Sequence, residues 1–136
     1  MVHSIPLFVY RKPGTTPEQF QAYYEEKHIK LIKELAGDDF LVSHTRRYVH
    51  RTRGKGDTER NTDYPATVFL GEQADFDYDC CSGLIFSDSA ALYAFKETLA
   101  QAENATRIAA DEGNFIDRSK LLIVGLGQTR TTMKRV

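Results

Sequence analysis

The spacing of apolar residues changes period several times along the chain, and the order of those changes limits the fold more than composition does. Ile5 to Tyr10 is a short strand-forming run, Thr16 to Ala36 repeats at helical spacing, and Phe40 to Arg51 returns to β-branched and aromatic residues. A polar stretch, 51–64, interrupts the pattern, and a short extended piece follows from Pro65 to Leu70. From Asp75 to Phe86 the residues alternate as in one long strand, with Phe76, Tyr78, Cys80, Ser82, Leu84 and Phe86 on one face. A second helix is expected over Ser89 to Gln101, capped by Ser87 or Asp88 and carrying Leu92, Phe95 and Leu99 as its stripe; helical tendency resumes from Glu103 to Asp111. Leu121 to Leu126 is a continuous apolar strand, and 127–136 a basic tail. The order β, α, β, β, α, β is the split βαβ signature of a ferredoxin-like α+β sandwich, with both helices on one sheet face. No element remains for the other face, so a second copy packing sheet against sheet is the simple cover, which predicts a homodimer.

At 136 residues, 41% of them hydrophobic, the chain supports a single domain over 1–136 with a real core. A net charge of −1 supplies no overall pull toward nucleic acid or acidic membrane. The basic run RRYVHRTRGKG resembles a single-strand binding track, but the acidic DFDYD run counters it, so no nucleic-acid partner is expected. With no apolar stretch of membrane length and no secretory-type start, a soluble cytoplasmic protein without a membrane partner is expected. Cys80 and Cys81 are adjacent, so on a strand they point to opposite faces and read as buried thiols, not a bridge. The segment RTRGKGDTERNTDY reads as an exposed loop.

Within the first helix one titratable ring lies in the apolar stripe. At about 100° per residue, Phe20, Tyr24, Leu31 and Leu35 fall within roughly 60° of one another, and His28 sits beside Tyr24 and Leu35. Thr16 as cap, Pro17 at the first helical position and Gln19 at capping-box spacing mark the start; Gly37 marks the end. An inward imidazole is either a core histidine satisfied by one hydrogen bond or an acid/base group in a cavity.

Four segments in order, KPGTTPEQFQAYYEEKH, SHTRRY, ADFDYD and ENATRIAADEGNFIDRSK, together resemble the EthD-type branch of dimeric α+β barrel proteins in its fungal form, over nearly the whole chain. The resemblance implies a ferredoxin-like protomer, a dimer built through the sheets and a cavity between sheet and helices. Fungal members are associated with polyketide gene clusters. The group that the chain resembles decarboxylates anthrone-type aromatic acids such as atrochrysone carboxylic acid, which implies cofactor-free chemistry on an aromatic polyketide. Family members often carry proline two residues after the helix histidine; here Lys30 stands there, so a more regular helix and an altered pocket mouth are expected.

On the second strand His44, Arg46, Tyr48 and His50 share a face. The arginines of this region, Arg46, Arg47 and Arg51, have a structural reading as partners of Asp75, Asp77 and Asp79 across the ladder. In the functional reading Arg46 holds a substrate carboxylate or phenolate, while His28 and His44 exchange protons with an enolate formed as carbon dioxide leaves. The expected catalytic set is thus His28, His44 and Arg46, with Tyr10, Tyr24, Tyr48, Tyr78 and Asp79 as substrate-binding residues. No metal site is expected, because the four histidines form no i, i+4 helical pair and no Cys-x-x-Cys occurs; GLGQ opens no helix and is no nucleotide loop. A dehydratase or cyclase would need similar groups, and a protein that only binds an aromatic ligand would need the cavity alone.

Overall fold

The computed structural model describes residues 2–40, 42–53 and 63–135; most of the polar loop read from the sequence lies outside them. Its elements are β1 (His3–Val9), α1 (Pro17–Tyr23), a π-helical turn (Tyr24–His28), α2 (Ile29–Ala36), β2 (Ser43–Tyr48), β3 (Cys80–Phe86), α3 (Ser89–Ala100), α4 (Ala102–Glu112) and β4 (Leu122–Ile123), with short 3-10 turns between them. The four strands form one antiparallel sheet in the order β2-β3-β1-β4, as a split βαβ order requires. Pairing continues past β4, where Val124 N–H donates to the Pro6 carbonyl at 3.2 Å and Leu126 N–H to Ser4 at 3.0 Å. The third strand is shorter than its alternation suggests. Gln73–Phe76 coils instead into a 3-10 turn, because the Asp75 carboxylate accepts from Glu72 N–H and competes with extended pairing.

The first helix begins as its sequence dictates. Gln19 N–H donates to Thr16 Oγ1 at 3.1 Å, Thr16 N–H donates to Gln19 Oε1 at 3.0 Å, and Gly37 ends α2 at φ +55°. Its middle departs from regularity: Ile29 N–H reaches back five residues to the Tyr24 carbonyl, inserting one wide turn. An i to i+4 step in an α-helix advances about 40° around the axis, so four such steps would carry a stripe well off the core. The wide turn removes part of that drift. Phe20, Tyr24, His28, Ile32 and Ala36 are all buried, whereas the expected Leu31 and Leu35 are only partly so. Lys30 permits continuation to Ala36, and the irregularity falls one turn earlier.

Two clusters make the core between sheet and helices. One joins Val9, Cys80, Phe20, Tyr24, Phe115 and Ile116; the other joins Ile32, Ala36, Phe86 and Phe95. Strand pairing places Phe8, Cys81, Ile85 and Leu122 together on the sheet face turned away from the helices.

At the end of β1 a buried ionic knot ties four segments. Asp79, 4% exposed, accepts from Arg11 N–H at 2.7 Å, from the Arg11 guanidinium, and from Arg51 Nε at 2.9 Å. Arg51 also donates to the Phe76 and Tyr78 carbonyls at 2.8 and 2.7 Å, and Arg11 Nε to the Thr15 carbonyl at 2.7 Å. Removing one partner from such a cluster strands buried charge. Asp79→Ala should therefore lower the unfolding free energy by about 3–5 kcal/mol, read as a shifted midpoint in urea.

Candidate functional site

Residues of both core clusters line a hollow of about 400 Å³ between the sheet and the helices. Ile5, Leu7 and Leu84 from the sheet, and Ile32, Phe95 and Ile108 from the helices, make most of its wall apolar. Its polar groups include Tyr24, His28, His44 and Glu112.

His28, 8% exposed, is turned inward by the wide turn, and the Phe115 ring packs against it at 4.9 Å. Its Nδ1 lies 2.8 Å from Asp111 Oδ2, on the last turn of α4. Asp111 Oδ1 accepts from the Tyr23 hydroxyl at 2.6 Å, and Asn114 Nδ2 donates to that hydroxyl at 2.9 Å. A carboxylate on Nδ1 assigns the proton there and leaves Nε2, to which no described residue bonds, as the ring's second working atom. Such orientation by a neighbouring carboxylate is the arrangement that prepares a histidine for proton transfer.

One turn before His28 on the same helix, and with its ring 5.7 Å from the imidazole, Tyr24 shares a 2.7 Å hydrogen bond with Ser82 Oγ on β3, and His44 Nε2 stands 3.5 Å from the Tyr24 hydroxyl, at the outer limit of contact. Burial raises the Tyr24 pKa, so the phenol keeps its proton and remains a donor. For His44 burial, followed by the charges of Arg46 and His28, pushes the pKa from 6.5 down to about 4. At neutral pH the site thus presents an uncharged imidazole, a neutral phenol and a buttressed histidine around an apolar space, with Glu112 and Lys96 also in its wall.

The structure brings His28, His44 and Tyr24 together and leaves the other expected residues outside the hollow's wall. Arg46 binds Glu25 of the helix, with Nη2 2.9 Å from Oε1, and donates through Nη1 to the His44 carbonyl at 2.9 Å. That pairing holds the Glu25 carboxyl below its ordinary range. Tyr48 donates to Glu25 as well, and its ring packs edge-on to Phe20 and Tyr24. Tyr10 and Tyr78 cluster with Phe8 on the opposite sheet face, and Asp79 belongs to the ionic knot. The partner of Arg46 comes from the helix and not from the third strand, because the register sets Arg46 opposite Ser82; of the three arginines it is Arg51 that reaches one of the expected aspartates, Asp79.

Asp111, Glu112 and Ser82 escaped the sequence reading. A signal for the first two exists: adjacent carboxylates end α4, where the exposed carbonyls disfavour negative charge, so their placement calls for partners. Among the described residues no group of three His, Cys, Asp or Glu side chains could hold a metal ion, and no described helix is long and apolar enough to cross a membrane.

The model of the EthD domain family matches residues 12–119, which include every polar residue of the hollow named above. Two solved structures are similar in fold. One is an ethyl tert-butyl ether D (EthD) family protein of Bacillus halodurans C-125, 14% identical, with 95% of this chain and 100% of that one covered at a TM-score of 0.50. The other is an EthD-like protein of Ralstonia eutropha JMP134, also 14% identical, with 92% and 87% covered at a TM-score of 0.51. No curated protein matches the sequence.

The depressed pKa of His44 has a consequence for stability. An unfolded chain takes up this proton near pH 6.5, whereas the folded ring resists it down to about 4; stability is therefore complete above 6.5 and lost as pH falls through that window. Since the ring is not wholly shielded, roughly 1–2 kcal/mol should disappear between pH 7 and 4. Urea titrations should show this fall in the native protein and a flatter profile in His44→Gln.

Proposed function

We propose, given that the chain belongs to the EthD-domain family, that it catalyses a cofactor-free decarboxylation of an aromatic polyketide carboxylic acid bound in the hollow. The observation that carries this reading is the Asp111-buttressed His28 facing an apolar space of about 400 Å³. Fused aromatic rings suit such walls, and excluding water strengthens each polar contact inside. As the bond to the carboxyl group breaks, carbon dioxide leaves and the electron pair moves into the adjacent carbonyl, forming an enolate. The Tyr24 hydroxyl donates to the developing oxyanion. His28 Nε2, which takes up the carboxyl proton as that bond breaks, returns it to the carbon, so that the ring ends as it began.

A specific observation favours a second reading, dehydration or cyclisation of a neutral polyketide. Arg46, the expected anchor for a carboxylate, is bonded to Glu25, Glu112 adds a negative group to the wall, and the wall's lysine, Lys96, carries its ammonium over the Tyr93 ring, which does not line the hollow. Proton removal beside a carbonyl would use the same histidine and phenol without an anionic substrate.

The sheet face opposite the helices supports a homodimer. It carries Phe8, Ile85 and Leu122, the last 54% exposed, and continues along the strand past β4 to Leu126, 52% exposed. A contiguous apolar patch of this kind marks an association surface, and a self-complementary sheet face fits a two-fold axis.

Incubation with an anthrone-type carboxylic acid, followed by mass spectrometry, separates the reactions. Loss of carbon dioxide supports decarboxylation, loss of water the second reading, and tight binding without turnover a ligand-binding protein. Whichever reaction occurs, His28→Ala should slow it by about a hundredfold or more. In sedimentation velocity the native chain should run as a dimer and Leu122→Lys as a folded monomer; a native monomer would remove the dimer.

A further inference from the structure

Glu112 is an ionisable group of the hollow's wall that takes no part in the chemistry above. Its side chain is only 15% exposed and lies in the last turn of α4, at the helix end least favourable to negative charge. The neighbouring Asp111 has two donors, Tyr23 and His28, which account for its burial. Glu112 has one: Arg118 Nε donates to Oε1 at 3.1 Å, and among the described residues nothing donates to Oε2. A carboxylate oxygen left without a donor beside apolar surface is costly, and native structures rarely leave one so.

We propose that Glu112 Oε2 is the acceptor for a hydroxyl group of the ligand, so that the hollow selects hydroxylated aromatic ring systems. This rests on the reading of the hollow as a small-molecule site and names a determinant of what it takes. A phenol O–H supplies the missing donor without bringing a second charge into the apolar wall. A ligand carboxylate, by contrast, would meet like charge at Glu112. A polyketide acid is thereby oriented, with a ring hydroxyl toward α4 and its carboxyl group away from it. The discrimination comes from the cost of leaving Oε2 unpaired when a bare hydrocarbon edge occupies the same place.

Two probes of similar shape test this, 2-naphthol and 2-methylnaphthalene, titrated by fluorescence at pH 7 into the native protein, Glu112→Leu and Glu112→Gln. The native protein should prefer naphthol by about ten- to a hundredfold, the range of a hydrogen bond to a charged acceptor. Glu112→Leu should erase most of that preference while holding or tightening methylnaphthalene, and Glu112→Gln, which keeps a neutral acceptor, should fall between. Arg118, 55% exposed, stays solvated when its partner is removed. A native protein without preference, or a preference unchanged in Glu112→Leu, overturns the proposal. Should a thermal melt show Glu112→Leu unfolded, an unchanged preference in Glu112→Gln does the same. Failure of the native protein to bind either probe removes the ligand site and this role together. A hydroxyl preference that depends on Glu112, in a protein that turns over no polyketide, leaves the acceptor standing and removes only the reaction.

Discussion

One extra residue in the helical turn from Tyr24 to His28 decides where the following residues point. With a regular turn, the ring of His28 and the side chains of Ile32 and Ala36 would rotate progressively off the sheet. The i to i+5 bond closing on Ile29 holds them in line, so one helix supplies a phenol, an imidazole and then apolar wall to the same hollow. Such wide turns lose regular hydrogen bonding and persist where a site needs the altered direction. Here the direction is what lets Asp111, on a helix more than eighty residues later, reach Nδ1.

The hollow follows from the way the core divides. Aromatic packing of Phe20, Tyr24 and Phe115 fills one end, and Phe86 with Phe95 fills the other. Neither cluster reaches across, and β4 and α4 frame the space between them. The polar groups come from four separate elements, Tyr24 and His28 from the π-helical turn, His44 from β2, Lys96 from α3 and Glu112 from α4, so the chemistry depends on the whole sandwich and not on any local motif.

Local features were legible in the residues themselves. Thr16, Pro17 and Gln19 start the first helix, Gly37 ends it, and Asp88 caps α3 by accepting from Ala91 N–H, because each such signal acts within a few positions. Strand order followed from the sequence of periods, and the inward turn of His28 from spacing. What periodicity does not carry is the identity of distant partners. Arg46 was assigned to a carboxylate on the third strand or to substrate, yet Glu25, 21 positions earlier, holds it. Tyr10 and Tyr78 share an aromatic character with Tyr24, but Tyr10 follows Phe8 by alternation onto the other face, and Tyr78, which precedes β3 and so escapes its alternation, packs against both there. Asp111 closed a segment that read only as a brief helical tendency and Glu112 lay just beyond it, and their meaning emerges once α4 lies against the π-helical turn.

The knot of Arg11, Asp79 and Arg51 constrains how the chain can evolve. Replacing Asp79 leaves two buried guanidinium groups without their shared carboxylate, and replacing either arginine takes donors from that carboxylate and from the carbonyls it ties, whereas exchanging all three for well-packed apolar side chains need not be harmful. Across descendants of a common ancestor, positions 11, 51 and 79 should accordingly change as a unit or stay fixed together. That covariation would join the exits of β1 and β2 to the approach to β3 and betray the sheet's connectivity to anyone comparing sequences alone.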